Sequence, residues 1–370
     1  MIKKPFFVIF ICLCLLCSGC VNKDVTVIKF SAWGSASEIG ILKPIIREFE
    51  SQNPNIRVEF MHIPQNYFQK LHLLLASNTA PDVIFINNLN LPVYAKFLED
   101  LTPVVHTKDF YPKSIEGLKY HGKLLAIPRD ISVLVVYYNK TLFKKYSVPF
   151  PDESWTLEDL FQKTLAFKDV YGISYEPLIY YALPFIHYYG GGILDENLKY
   201  IADSKNFEKG IKFYKDLAYK YHVSPLPEQT GCKTQAQLFL EGKIAMHISG
   251  RWLVPKYREC TNFDWDVVNF PKYSVPCDVS GWGISSSSSH KDAAVKFVLF
   301  LSNRENIDKM SSSGLIIPAR IDAAQTSRFL NGKPEHSYLF LNSVKYARTS
   351  FVSKEYCKLI DKLDDKFFNN

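Results

Sequence analysis

The sequence predicts an α/β fold with two domains built around mainly parallel sheets. Strand-like and helix-like segments alternate near the start, with strands expected at residues 25–31, 56–60 and 82–86. This alternation is typical of βαβ units. A run at residues 131–138 that is apolar except for Ser132 predicts a strand that is buried on both faces or crosses between two domains. About 350 residues follow the apparent leader. A single hydrophobic core rarely organises so many residues, so two domains are expected.

The first helix is expected to begin after Ser35. Ser35 and Glu38 have the S-x-x-E spacing of a capping box, so Ser35 is the predicted N-cap. The helix should end at Asn53-Pro54, and its core-facing side chains are expected to be Ile41, Leu42, Ile45, Ile46 and Phe49.

Further elements follow residue 131 in the same alternating style. Thr156 is the expected N-cap of a helix, and further helices are predicted at 205–221, at 291–301 and from Glu335 onward. A strand at 243–249 lies between Gly242 and Gly250, and another is expected at 265–268. No internal repeat is visible.

The first twenty residues have the pattern of a secretory signal. Lys3 and Lys4 precede an apolar run at residues 6–16, which is short for a membrane span. Ser18, Gly19 and Cys20 then resemble the lipobox of bacterial lipoproteins, which implies that Cys20 is acylated and becomes the first mature residue. The alternative is an uncleaved anchor. Both interpretations place the protein outside the cytoplasm, held at a membrane.

Composition excludes some partners and leaves the redox state open. The formal net charge of +7 is mild, and the basic residues are scattered, which argues against nucleic acid. Four cysteines follow the leader, and in an oxidising compartment four cysteines can form two disulfides in three different pairings. Their spacing and that of the histidines gives no zinc pattern, so neither a metal nor a cofactor is expected. The four cysteines after the leader are Cys232, Cys260, Cys277 and Cys357.

A set of short motifs runs through most of the mature chain in a specific order. In sequence they are FESQNPNI (49–56), APDV (80–83), DLTP (100–103), IPRD (127–130), YYNK (137–140), SWT (154–156), Phe239-x-x-Gly242-x-x-Ala245-Met246-x-x-x-Gly250-x-Trp252, GWG (281–283) and PAR (318–320). Through them the chain resembles the family 1 extracellular solute-binding proteins, the group typified by maltose-binding protein, which serves ABC importers.

The resemblance implies a two-lobed periplasmic-binding-protein-like fold that closes on a solute about a hinge. One lobe is expected to comprise residues 21–130 plus about 281–320, and the other 131–280 plus about 321–370. It also implies a monomeric, non-enzymatic receptor whose partners are a carbohydrate, permease subunits and, through a lipid anchor, the membrane. The family usually has a longer helical tail than the residues after 362–365 would form, so we expect the final helix to be missing or shortened.

Candidate site residues follow predicted strands, where ligands of open α/β sheets bind. At the first strand–helix junction, backbone N–H groups would meet ligand oxygens, although the tryptophan there could equally pack in the core. The amides after the third strand suit hydroxyl recognition, and turn formation is their alternative. The carboxylate at the first crossover would accept hydroxyls or shape a hinge turn. These candidates, with a tyrosine near the triple-glycine loop, are Trp33, Gly34, Ser35, Asn87, Asn88, Asp130 and Tyr181.

Two tryptophans are candidate stacking platforms for a sugar ring. Trp252 follows the strand at 243–249 and Trp282 lies between two glycines, and each could instead be core material. Arg251 precedes Trp252 where sugar-binding relatives commonly carry a small or neutral residue. If Arg251 faces the cleft, an anionic solute such as a glycerol phosphate or a sugar phosphate becomes plausible.

Two other classes of function compete with a sugar receptor. A glycosidase needs two carboxylates that flank the scissile bond, and no motif in this chain fixes such a pair. A structural surface lipoprotein would bind no small solute. The sequence therefore favours a binding protein and leaves its solute open.

Overall fold

The computed structural model describes residues 25–368. The strands are β1 (Thr26–Ala32), β2 (Ile56–His62), β3 (Val83–Asn87), β4 (Lys119–Tyr120), β5 (Lys123–Leu124), β6 (Ile127–Asn139), β7 (Tyr171–Ser174), β8 (Ile244–Gly250), β9 (Trp265–Asn269), β10 (Pro276–Ile284), β11 (Ile317–Pro318) and β12 (Arg348–Thr349). The main sheet has the strand order β2-β1-β3-β10-β6-β8-β7.

Helices connect and cover these strands. They are α1 (Ala36–Gln52), α2 (Tyr67–Ala76), α3 (Leu91–Tyr94), α4 (Pro112–Gly117), α5 (Lys140–Lys145), α6 (Leu157–Leu165), α7 (Ile179–Tyr188), α8 (Lys205–Tyr219), α9 (Gln235–Leu240), α10 (Val254–Cys260), α11 (Lys291–Leu301), α12 (Arg304–Ser312), α13 (Ile321–Ala324), α14 (Ser327–Leu330), α15 (Tyr338–Tyr346) and α16 (Lys354–Phe368).

The first part of the chain forms the predicted βαβ units. Strand β1 runs parallel to both β2 and β3. Ser35 is the N-cap of α1, and its hydroxyl accepts a hydrogen bond from the Glu38 N–H at 3.2 Å. The predicted capping box is only half formed, because the Glu38 carboxylate turns toward Arg129.

Strand β6 is the predicted crossing strand, extended at its N-terminal end to Ile127. Its first half, as far as Val133, pairs with β10 and β11. Its second half, from Leu134, pairs with β8 and β9. All of its residues except Ser132 are buried. One strand therefore belongs to two groups of strands.

The C-terminal segment is helical, as the sequence predicts, and it covers the second group of strands. Helix α15 packs against β6 and β9, and α16 packs against α7. The short helices α13 and α14 pack against α12, which in turn contacts α1 and α11 beside the first group of strands. The chain thus returns to the second group only after α14.

The cysteines of the described residues form no disulfide, so none of the three possible pairings occurs in this structure. Cys232 and Cys260 are exposed, Cys277 is buried and Cys357 is partly buried.

The described residues carry neither a membrane span nor a metal cluster. None of the helices within residues 25–368 combines the length and the apolar character that crossing a membrane requires. No cluster of three or more His, Cys, Asp or Glu side chains in that range could hold a metal ion. The leader, with Cys20, lies outside the described residues.

Candidate ligand-binding cleft

A cavity of about 850 Å³ lies at the carboxyl ends of β1, β3 and β8 and beside β6 and β10. This is the position at which open α/β sheets bind ligands. Its volume falls in the range of small-molecule sites. Of the candidates from the sequence, those that line it are Trp33, Gly34, Ser35, Asn87, Asp130, Arg251 and Trp252.

Trp252 lies on one wall of the cleft and is half-buried. The six-membered part of its indole ring covers Gly250, so that a β-carbon at Gly250 would overlap the ring. Gly250 has extended backbone angles (φ −101°, ψ 179°) that any residue can adopt. The glycine is therefore needed at this position for space and not for its conformational freedom.

The buried Arg129 forms ion pairs with two carboxylates, those of Glu38 and Asp130, near the first strand–helix junction. The Arg129 guanidinium donates from Nη1 to Glu38 Oε1 at 2.6 Å and from Nε to Asp130 Oδ1 at 2.8 Å. It also lies 4.1 Å from the centre of the Phe85 ring. Burial alone would lower the pKa of Arg129, but Asp130 and Glu38 raise it above its ordinary value. The group of three carries one net negative charge.

The packing of Gly34 shows how this group is held in place. Gly34 has a φ of +141°, which favours glycine, and a β-carbon there would come within 2.5 Å of Glu38 Oε2. The carboxylate of Glu38 thus folds back over the β1–α1 turn and reaches Arg129. Both carboxylates of the group line the cleft and retain lone pairs that could accept hydroxyl donors.

Asp278 forms a second polar centre, on strand β10. Its Oδ1 accepts a hydrogen bond from Asn88 Nδ2 at 3.2 Å, and its carboxylate also bonds with the side chains of Ser350 and Tyr180. Burial raises the pKa of Asp278, and these three hydrogen bonds oppose the rise. Asp278 thus connects strand β10 with three separate parts of the chain, and it lines the cleft.

Three of the candidates lie outside the cleft lining. Asn88 is fully buried, and its Oδ1 accepts from the Val279 N–H at 3.0 Å, which anchors β10. Tyr181 is buried on α7, and the adjacent Tyr180 lines the cleft in its place. Trp282 is completely buried. Its ring centre is 4.7 Å from that of Phe85, so it belongs to the core and offers no platform.

Arg251 borders the cleft, but its guanidinium is directed into an aromatic cluster. Only 2% of the residue is exposed, and the guanidinium lies 4.1 Å from the ring centre of Phe329 and 4.9 Å from that of Phe340. Its Nη2 donates to the Phe329 carbonyl at 3.3 Å. Burial lowers the pKa of Arg251 to about 9. In this arrangement the guanidinium fork does not face the cleft.

Sequence reasoning missed several of the lining residues. Arg129 lies in the IPRD motif directly before the candidate Asp130, so the motif itself was a signal for it. The partnership of Glu38 with a residue 91 positions away left no local signal. The other missed residues include Lys256, Asp278, Leu315, Ile316 and Ile317.

Comparison with known proteins identifies the family. Residues 45–335 match the family model described as bacterial extracellular solute-binding protein. The chain belongs to this family. Its members are binding proteins that work outside the cytoplasm. The galactooligosaccharide-binding protein of Bacillus subtilis (strain 168) is 24% identical over 332 residues, which cover 82% of this chain and 77% of that protein.

Solved structures of relatives show the same fold. The ABC substrate-binding protein Lmo0181 from Listeria monocytogenes, in complex with cycloalternan, is 26% identical, with a TM-score of 0.86 over 93% of both chains. Maltose-bound MalE3 of T. maritima is 21% identical, with a TM-score of 0.83 over 92% of this chain and 93% of the other. The predicted α/β, two-lobed, periplasmic-binding-protein-like fold is therefore confirmed.

Proposed function

We propose that this solute-binding protein is the receptor of an ABC importer and captures a neutral carbohydrate, a sugar or an oligosaccharide, by closure of its two lobes. The receptor would be tethered to the membrane through acylated Cys20 and would deliver its solute to permease subunits. Contacts of the solute with both lobes would provide the free energy for closure.

The observation that carries this proposal is the presence, in one cleft, of an accessible indole and of two carboxylates that share one arginine. A pyranose ring buries C–H groups against an aromatic face and presents hydroxyls at its edge. Trp252 offers such a face, while Glu38 and Asp130 offer acceptors. Arg129 compensates one of their two charges, so the group has no cation left over for an anionic ligand.

The ligands named for several relatives agree with this chemistry. Those relatives include a galactooligosaccharide-binding protein, a maltotriose-binding protein from Pyrococcus abyssi and the cycloalternan complex from Listeria monocytogenes. Each of these ligands is an uncharged saccharide of several rings. The cleft volume of about 850 Å³ suits a solute of more than one ring.

The strand pairing supports the lobe boundaries expected from the sequence, with one refinement. We propose that the first lobe comprises residues 21–130 plus about 281–320, and the second 131–280 plus the C-terminal segment. Because α13 and α14 pack against α12, the last crossing into the second lobe is better placed after Leu330 than at residue 321. Strands β6 and β10 would then form the other two crossings.

An anionic solute is the second candidate, and one observation favours it. Lys256 lines the cleft and forms no ion pair with any residue from 25 to 368. Arg251, the residue that suggested this candidate, is enclosed by Phe329 and Phe340. A single flexible ammonium is a weaker phosphate site than a guanidinium fork. The neutral saccharide is therefore the preferred solute.

A thermal-shift and calorimetry screen tests the proposal. We expect maltotriose, galactooligosaccharides or cycloalternan to raise the melting temperature, since ligand binding stabilises by RT ln(1 + [L]/Kd). Glycerol 3-phosphate and glucose 6-phosphate are the anionic comparison. A response to the phosphates alone would overturn the neutral-sugar proposal. Chromatography of the incubated saccharides should show no hydrolysis, and products that depend on the protein would indicate a glycosidase.

The lipid anchor needs its own experiment. Cys20→Ser should abolish the incorporation of labelled fatty acid into the protein, because the acylated thiol is removed. Mass spectrometry of the wild-type N-terminus should find a lipid-modified cysteine. A wild-type N-terminus that carries no lipid and retains the leader would instead indicate an uncleaved anchor.

A further inference from the structure

The apolar wall of the cleft is carried by residues 313–332, the wall segment, in which the regular elements are short. It supplies Leu315, Ile316 and Ile317 to the lining. Within the wall segment, the regular elements are the two-residue strand β11 and the short helices α13 and α14. The position of this wall therefore depends on contacts with other parts of the molecule.

Arg258 bonds to the main chain at both ends of the wall segment. Its Nη1 donates to the Ser312 carbonyl at 3.0 Å, and its Nε donates to the Lys333 carbonyl at 2.6 Å. Residues 312 and 333 directly flank the wall segment. Gly314, whose φ is +94°, leaves room for this arrangement, because a β-carbon there would come 3.0 Å from Arg258 Nη1. The guanidinium of Arg258 thus holds the two ends of the wall segment next to each other.

Arg251 holds the wall segment at a second point. Its guanidinium lies over the ring of Phe329, on α14, and donates to the Phe329 carbonyl. The ring of Phe340 lies within 4.9 Å of the guanidinium carbon. Neither Arg251 nor Arg258 forms an ion pair with a carboxylate among residues 25–368. Both guanidinium groups donate hydrogen bonds to main-chain carbonyls, and that of Arg251 also lies against two aromatic rings.

The two arginines flank the tryptophan platform in sequence. Arg251 precedes Trp252 directly, and Arg258 lies on α10, which begins at Val254. The same short segment therefore carries the aromatic platform and both arginines that contact the wall segment. Any shift of α10 relative to the wall segment would change the distance from Trp252 to Leu315, Ile316 and Ile317.

We infer that Arg251 and Arg258 are positioning residues that set the spacing between the Trp252 platform and the apolar wall, and that this spacing determines how well a saccharide fits. The inference rests on the proposed function, because it assigns a role to the cleft as a saccharide site. The arginines act through Trp252 and the wall and need no contact with the solute.

Forked geometry explains why arginine is used. A guanidinium presents several N–H groups in a fixed plane and can donate to two carbonyls at once. Lysine keeps the charge but concentrates its donors on one atom at the end of a flexible stem. Arg258→Lys is therefore a conservative change that retains the charge while losing the simultaneous grip on the Ser312 and Lys333 carbonyls.

The experiment compares Arg258→Lys and Arg251→Lys with a matched control in the full-length protein. Arg328→Ala is the control, because Arg328 is an exposed arginine on the wall segment whose partner is the Asp308 carboxylate. Calorimetry with maltotriose, galactooligosaccharides and cycloalternan identifies a saccharide that binds the wild type, and its affinity is then measured for each variant. Hydrogen exchange of residues 313–332 is measured without any saccharide.

We expect Arg258→Lys to weaken saccharide binding by about tenfold, the effect of losing one charge-assisted hydrogen bond. In Arg258→Lys, hydrogen exchange of the wall segment should become faster, while exchange of the other residues stays as in the wild type. The melting temperature of the control should not change. Arg251→Lys should act in the same direction. Arg328→Ala should bind as the wild type does, since an exposed ion pair contributes little.

Failure of this inference is distinguishable from failure of the proposed function. If none of the saccharides binds the wild type, the proposed function fails, and with it the saccharide role of the two arginines. If the wild type binds while both lysine variants keep wild-type affinity, the positioning role is overturned and the function stands. Lost affinity with unchanged exchange in the wall segment would also contradict the positioning role.

Discussion

Replacement of Trp252 by alanine is the most direct test of the cleft. The indole lies against Gly250 with one face toward the cavity, so its removal deletes the platform without creating a large hole in the core. A sugar ring that covers about 80 Å² of the indole would gain about 2 kcal/mol at about 25 cal/mol per Å². The expected loss of affinity is therefore about thirtyfold.

Calorimetry with the best saccharide from the screen measures this loss. The melting temperature of the ligand-free variant should fall only slightly, because Trp252 is half-buried. Gly250→Ala is a companion variant that keeps the indole but pushes it out of position, since the new β-carbon would overlap the ring. It should weaken binding in the same direction. Unchanged affinity in both variants would remove Trp252 from the binding site and refute the stacking argument.

Three further predictions concern residues around the cleft. Arg129→Met should destabilise the fold by about 3–5 kcal/mol in denaturant titrations, because the Glu38 and Asp130 carboxylates would be left buried and unpaired; a loss below about 1 kcal/mol would contradict this. Asp278 has a raised pKa when folded, so its contribution to stability is present at low pH and is lost as the pH rises. The melting temperature of Asp278→Asn relative to the wild type should therefore increase above about pH 4, and a pH-independent difference would refute the assignment. Trp282→Phe should reduce stability yet leave saccharide affinity unchanged, since Trp282 lies in the core; weaker binding in a folded variant would return it to the site.

The elements of the fold were predictable because their signals are local. The alternation of residues 25–86 and the Ser35 cap follow from short-range spacing, and both occur in the structure. The apolar run at 131–138 is explained by burial along β6. Periodicity and capping are properties of neighbouring residues, so the sequence alone contains them.

The site was only partly predictable because it depends on long-range partners and on the orientation of side chains. Trp252 and Trp282 both lie near glycines, but one ring faces a cavity and the other packs between Phe30 and Phe85. Strand β10 is buried along its whole length, so no alternation of polar and apolar residues shows which way Trp282 points. The Glu38–Arg129 pair likewise forms only when distant segments meet.

The continuity of strand β6 has a consequence for how the protein unfolds. Val133 pairs with β10 in the first group of strands, and the next residue, Leu134, pairs with β8 in the second. If either group of strands unfolded, half of the buried strand β6 would lose its hydrogen-bond partners. The unpaired backbone groups would then destabilise the group of strands that is still folded. The two lobes should therefore melt in a single cooperative transition, with the β6 amides among the last to exchange.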